Sequence, residues 1–260
     1  MPEENVELND VLSFIGKEQE RVTKKHENKT FQVWKQSIKE TPLYIGTCFG
    51  LIYKKKKFLV TAKHVMDEVQ KDKSYPLIVH KSGIVYELKP ELLLTTIINE
   101  EIDIYLIEIE TTEFPLDYFY ELKHNLINAN NKHQTLIVSI GYPYSKNKKR
   151  IRANNTPEKM FAVYLAGVII DDEKIYSNLK LNSQEYILSE HNKKKSLGKD
   201  FKRINGIKEN GMSGAPVFSY LSIENPVTSK DELLGVLTMK KGHYVAYIKI
   251  GEVINLIDNQ

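Results

Sequence analysis

Three residues in this chain could together activate a hydroxyl for attack on a carbonyl. Ser213 sits in Asn210-Gly211-Met212-Ser213-Gly214-Ala215-Pro216, between two glycines and ahead of the apolar pair Val217-Phe218. The pattern predicts a tight turn feeding a buried strand, because glycine adopts the conformations a sharp turn needs and lets another molecule approach closely. Such a turn can point the hydroxyl outward and aim the amides of Gly211 and Ser213 at one spot, the arrangement that stabilises an oxyanion. Taken alone, the same tetrapeptide is an ordinary glycine-rich turn. A nucleophilic serine also needs a base and a group to orient that base. His64, closing Val60-Thr61-Ala62-Lys63-His64, and Asp103, in Ile102-Asp103-Ile104-Tyr105-Leu106, are the candidates. Singly, His64 reads as a hydrogen-bonded histidine at a strand end and Asp103 as a turn cap. Together, in the order His, Asp, Ser and separated by 39 and 110 residues, they make catalysis the stronger reading.

Residues so far apart must be brought together by the elements that carry them. From residue 43 the chain reads as short apolar runs broken by turns: 44–53, 57–61, 77–80, 84–88, 92–98, 102–109, 136–140, 160–170, 185–188, 232–239 and 244–250. Lys81-Ser82-Gly83 and Lys240-Lys241-Gly242 carry the turn chemistry of hairpins. Strands at this spacing predict an all-β sandwich or barrel, not a βαβ fold. The strand expected after Ser213 also argues against the elbow of α/β-hydrolases, which leads into a helix. Asn9 or Asp10 can cap a helix over Val11–Lys25, so residues 1–42 are read as a helical extension packed on the body. Val253, Ile254 and Ile257 share one face of a closing helix over 251–258. The polar, asparagine-rich segment 111–134 is the natural seam between halves at about 43–125 and 135–250. Basic segments at 54–57, 146–152 and 191–203 read as solvated loops.

These local words resemble those of chymotrypsin-like (trypsin-like) serine proteases, in the family's chain order. Thr61-Ala62-Lys63-His64 is similar to its Thr-Ala-x-His segment, Asp103-Ile104-Tyr105-Leu106 to its Asp-Ile-Ala-Leu, and Gly211-Met212-Ser213-Gly214-Ala215-Pro216 to its Gly-Asp-Ser-Gly-Gly-Pro turn. Gly46-Thr47-Cys48-Phe49, Gly141-Tyr142-Pro143 and Gly235-Val236-Leu237-Thr238 fall where that family carries Gly-Ser-Gly-Phe, Gly-Tyr-Pro and Gly-Ile-Val-Ser, so the likeness covers roughly residues 43–257. The resemblance implies two six-stranded antiparallel barrels with the three residues in the cleft between them. His64 would then be general base and later acid, Asp103 would orient its imidazole, Ser213 would attack the peptide carbonyl, and the amides of Gly211 and Ser213 would form the oxyanion hole. It also places Ile207, Thr238, Lys240 and His243 at the substrate pocket. Ile207 stands where trypsins keep an acidic pocket floor, and Lys240 and His243 suit an acidic or polar substrate residue instead. Met212 replaces the aspartate that pairs with a new N-terminus in zymogen-activated relatives, which implies a chain active, or regulated, without that cleavage, as in bacterial cousins.

Composition bounds the alternatives. Lys+Arg 37 against Asp+Glu 34 leaves a formal charge of +3, too little excess for a dedicated nucleic-acid binder. The single Cys48 cannot form an internal disulfide, the start Met-Pro-Glu-Glu-Asn lacks the basic and apolar stretches of a secretory signal, and no apolar run is long enough to cross a bilayer. A cytoplasmic protein without membrane partners is the expectation, and the Lys, Asn and Ile usage resembles that of AT-rich microbial genomes. No Cys/His cluster has ligand spacing, so neither a metal nor an organic cofactor is expected. His26, His124, His133 and His191, in polar segments, are read as facing solvent, and His80 as ending a strand. The expected partner is a protein or peptide substrate, with a regulatory protein as a further one. The competing class is a protease-fold binding module without turnover, whose basic loops would contact an acidic protein or nucleic acid.

Overall fold

A computed structural model describes residues 8–36, 41–71, 74–89, 93–110, 114–122, 135–153, 160–191, 208–222 and 231–260. The first described element is helix α1 (Leu8–His26), followed after one 3-10 turn by strand β1 (Thr30–Gln36). β1 enters an eight-stranded sheet together with β2 (Leu43–Tyr53), β3 (Lys56–Ala62), β4 (Tyr75–Val79), β5 (Val85–Glu87), β6 (Leu93–Asn99) and β7 (Ile104–Ile109). The antiparallel path is β5-β4-β1-β2-β3-β7-β6, and β8 (Phe119–Glu121) adds to β2 in parallel. The second half is a closed barrel, β10-β11-β14-β13-β12-β9, with every pair antiparallel. Its strands are β9 (Thr135–Gly141), β10 (Val163–Ile170), β11 (Tyr186–Glu190), β12 (Pro216–Ser222), β13 (Glu232–Lys241) and β14 (Tyr244–Lys249). Helix α4 (Glu173–Leu179) lies between β10 and β11, and helix α5 (Ile250–Asp258) follows β14.

The mostly-β architecture with terminal helices follows the sequence pattern, and the differences have physical causes. The first half, expected as a six-stranded barrel, is a curled sheet whose strand path ends at β5 and β6. Residues 1–42, read as a helical extension, contribute β1 as well as α1. β1 lies between β2 and β4, where Phe31 and Val33 pack in an apolar cluster with Cys48, Leu59 and Val65, and Trp34 packs with Tyr44 and Tyr142. Charges around these residues disguised the strand, because a central strand here buries even Lys35 to 7% exposure. The segment 146–152 is no loop: it lies in α3 (Tyr144–Ala153). Asn147 is buried there, its amide donating to Pro143 O and Phe161 O at 3.1 Å while its carbonyl accepts the Phe161 amide at 2.8 Å. Of the lysines at 54–57, Lys54 and Lys55 form an exposed hairpin tip with φ of 49° and 66°, while Lys56 and Lys57 already belong to β3. That pair of positive values matches the strand twist at two-residue hairpins. Most of 111–134 and of 191–203 lies outside the described residues.

One apolar cluster spans both halves. Phe49, Leu51, Val60, Ile104 and Leu106 from the sheet meet Val138, Ile140, Phe218, Val236 and Ile248 from the barrel, with Val253 and Ile254 of α5 beside them. The N-terminal segment ties the halves a second time. Gln19 donates to Tyr220 OH at 2.7 Å, and Asp231, at the start of the β13 hairpin, accepts from Arg21 at 2.8 Å and Lys25 at 2.5 Å. His26, expected in solvent, is instead 6% exposed and stacks on Phe218 at 4.4 Å, while its carbonyl accepts from Tyr120 OH. Burial alone would push the Asp231 carboxyl up, but hydrogen bonds from Arg21 and Lys25 hold it well below the usual carboxylate range.

Burial, reinforced by Lys25, lowers the His26 imidazole to about 4. The unfolded chain therefore takes up a proton at His26 between its ordinary 6.5 and about 4 while the folded chain does not. Stability from this site is complete above pH 6.5 and drains as pH falls toward 4, by roughly 2–3 kcal/mol. Asp231 acts lower, losing its contribution below the ordinary carboxylate value. His26→Phe, which can keep the stack, should flatten the dependence of unfolding free energy on pH between 6.5 and 4.5. An unchanged slope in denaturant titrations of the variant would contradict this assignment.

Candidate functional site

β3 ends at Ala62 and the chain turns at once into helix α2 (Lys63–Gln70), an element the strand pattern did not predict. Val65, Met66 and Val69 bury one face of α2, so His64 is left looking outward, its side chain 51% exposed. The first amides of any helix lack internal partners, and Ala62 at the N-cap offers no side-chain acceptor. Asp103 supplies one from across the sheet: its Oδ1 accepts the His64 amide at 2.9 Å and its carbonyl accepts the Lys63 amide at 2.9 Å. Its other oxygen, Oδ2, lies 2.7 Å from His64 Nδ1. A carboxylate only accepts, so Nδ1 carries the hydrogen and Nε2 is left as the basic nitrogen. Asp103 reaches this position with φ of 59°, a left-handed conformation that aspartate enters more readily than bulkier residues. Burial pushes the Tyr186 hydroxyl of β11 up to about 12, with the charges of Glu185 and Asp103 adding to the shift.

The serine turn hangs from the barrel by alternating residues, with Met212 and Gly214 buried and Gly211 and Ser213 half-buried. Met212 packs among Ile137, Ala215, Leu237 and Tyr247. Gly211 and Gly214 have φ of 90° and 86°. A Cβ at Gly214 would sit 2.0 Å from Thr47 O, and one at Gly211 2.7 Å from the Tyr44 ring, so neither position admits a side chain. The carbonyls of the turn are taken: Asn210 O by the Tyr144 amide at 2.8 Å, Met212 O by the Ala215 amide at 2.9 Å, and Ser213 O by the Thr47 amide at 2.9 Å. Because a peptide unit is planar, anchoring Asn210 O and Met212 O fixes the opposite directions of the Gly211 and Ser213 N–H groups. Among the described residues no acceptor takes either N–H.

Thr47 is the residue that sequence reasoning passed over. Fully buried on β2, it donates its amide to Ser213 O and its hydroxyl to Gly211 O at 2.8 Å, while its carbonyl accepts the Thr61 hydroxyl at 2.7 Å. Thr61 stands three residues before His64, so these bonds set the serine turn against the end of the strand that delivers the histidine. Tyr44 OH reinforces the seat, 2.7 Å from Gly211 O and 2.5 Å from Tyr142 O. The structure thus joins His64 directly to Asp103 and seats the Ser213 turn, through Thr47, on the strand that ends two residues before His64. Among the described residues no hydrogen bond links Ser213 Oγ to the imidazole.

The pocket candidates divide. Thr238 is 1% exposed, on β13 next to Leu237, whose carbonyl accepts the Gly214 amide at 2.7 Å. Lys240 Nζ lies 2.6 Å from the Glu209 carboxylate, so its charge is compensated, and His243 is exposed in the β13–β14 turn. Ile207, like His124 and His133, lies outside the described residues. His191, read as solvent-facing, is 7% exposed and contacts Glu209, while His80 is buried at its strand end. Neither Glu209 nor Thr47 carries a local signal, since their importance comes from partners remote in sequence. Burial pushes the Cys48 thiol well above its ordinary range, which removes it as a competing nucleophile. Among the described residues no group of three or more His, Cys, Asp or Glu could hold a metal ion, and no helix is long and apolar enough to cross a membrane. A scan against known protein families finds none that this chain matches, and no curated protein sequence is detectably similar to it.

Thr47→Val keeps the shape of the side chain and deletes its hydroxyl. With Gly211 O left to Tyr44 alone, denaturant unfolding should show a loss of about 1–3 kcal/mol. A loss below about 0.5 kcal/mol would mean that the hydroxyl does not help seat the turn.

Proposed function

We propose that this chain is a serine endopeptidase of the chymotrypsin-like type, cleaving peptide bonds of a protein or peptide substrate. The observation that carries the reading is the imidazole of His64, held by Asp103 at 2.7 Å with its basic nitrogen outward, at the strand end on which the Ser213 turn is seated. The closed barrel and curled sheet are compatible with a double-barrel fold of that kind. Ser213 Oγ gives its proton to His64 Nε2 as it attacks the substrate carbonyl, and the imidazolium formed is stabilised by Asp103. The carbonyl oxygen, now an anion, takes hydrogen bonds from the Gly211 and Ser213 amides. His64 then hands the proton to the leaving amine, and water releases the acyl group by the same steps. The contact between Ser213 Oγ and Nε2 closes when substrate enters, as catalytic hydrogen bonds commonly tighten on binding.

Apolar Met212 bears on regulation. Its side chain is already buried in the barrel, where it anchors the turn without a newly cut N-terminus, so the intact chain is competent. A fluorophosphonate probe should therefore label the full 260-residue chain at Ser213 without prior proteolysis. Ser213→Ala should abolish labelling, and Asp103→Asn should lower turnover on the order of 10⁴-fold while the chain stays folded. A folded native chain that takes no label would turn the reading to a protease-fold binding module without turnover.

A further inference from the structure

Glu209 stands at the head of the leg that leads into the serine turn. It is 8% exposed, a place where a carboxylate is found only when paired. Its Oε1 lies 2.6 Å from Lys240 Nζ and 3.1 Å from His191 Nε2. His191 follows β11 and is itself pinned, its amide donating to His243 O at 2.6 Å in the β13–β14 turn. The main chain of Glu209 faces the other way, its carbonyl accepting the Met212 amide at 2.8 Å. β13 therefore holds both legs of the turn. Leu237 binds the exit leg through its backbone, to Gly214 N at 2.7 Å and Ala215 O at 2.8 Å, and Lys240 binds the leading leg through Glu209.

We infer that Glu209 is a positioning residue for the oxyanion turn: its carboxylate, clamped by Lys240 and His191, fixes the carbonyl that holds the Met212 amide, and so aims the N–H groups of Gly211 and Ser213. This rests on Ser213 being the nucleophile. The peptide unit between Gly211 and Met212 is anchored at its oxygen by Thr47 and Tyr44 and at its nitrogen by Glu209. Without the second anchor that unit can rotate, and because it links the two units that carry the Gly211 and Ser213 N–H groups, its rotation pulls on the bonds from Tyr144 and Ala215 that aim them. Lys240 is held by Glu209 and offers no free charge to a substrate, so the expected effect falls on the chemical step.

The test is Glu209→Gln, which keeps the volume and removes the charge, with Lys240→Met as a milder variant at the half-exposed end of the cluster. The readouts are the fluorophosphonate labelling rate, kcat and KM on an activated ester, and hydrogen exchange at the Met212 amide. Removing an oxyanion donor outright costs about 10²–10³-fold in kcat, so misdirecting the donors in E209Q should cost about tenfold or more, with KM within about twofold. Met212 amide exchange should accelerate, K240M should show a smaller fall of about threefold, and the double variant should be no worse than E209Q, since the two act as one unit. Equal rates in native and E209Q chains, a change carried by KM, or a loss that merely tracks the unfolded fraction would each overturn the inference. A native chain that never labels would instead overturn the hydrolase reading, and this inference with it.

Discussion

The seat of the serine turn depends on Thr47. One residue uses its amide and hydroxyl to bind Ser213 and Gly211 of the serine turn and its carbonyl to bind Thr61 of β3, two parts of the chain far apart in sequence. Because it is fully buried in the seam, its bonds form in a dry environment where an unmet partner is costly. The tolerances are close. Gly214 approaches Thr47 O so nearly that no Cβ fits, and a Cβ at Gly46 would meet Val65 at 2.8 Å and Ser213 O at 3.2 Å. Sheet and barrel are thus held in one registration at the point where α2 presents His64.

Asp103 shows how a local structural need and a chemical one coincide. Helix α2 begins without a capping side chain, and the carboxylate that satisfies its first turn is the one that orients the imidazole. A negative group at a helix N-terminus is favoured by the helix dipole as well as by the orphan amides. The left-handed backbone at Asp103 is the strained feature of the arrangement, and strain of this kind persists only where surrounding bonds over-determine it. Here they do, because Lys63 and His64 together place three hydrogen bonds on one residue.

The N-terminal segment is part of the same construction. α1 lies on the second barrel through Gln19, Arg21 and Lys25, whereas β1, four residues further on, is built into the first sheet. The chain therefore clasps the halves from outside while Thr47 joins them inside. Asp231 and Glu209 play parallel parts in this, each a nearly buried carboxylate met by partners from elsewhere in the chain, Arg21 and Lys25 for one and Lys240 and His191 for the other. Removing one partner of such a cluster leaves an uncompensated charge, so each clasp holds as a unit.

The sequence by itself determined the β-rich class, the positions of most strands, the two terminal helices and the three residues that could do chemistry. Alternating apolar runs and glycine turns are local signals, set by backbone sterics and burial along a few residues. Tertiary structure alone decided the rest. β1 was hidden among charges because its environment, two flanking strands, is supplied from residues 43–53 and 75–79. α2 was hidden because its cap is Asp103, 39 residues away. His26 and His191 looked solvated in polar segments, yet Phe218 and Glu209 bury them, and Thr47 gave no sign of its role. In each case the deciding partner is remote along the chain, and a hydrogen bond or ion pair across that distance leaves no periodicity for a sequence to display.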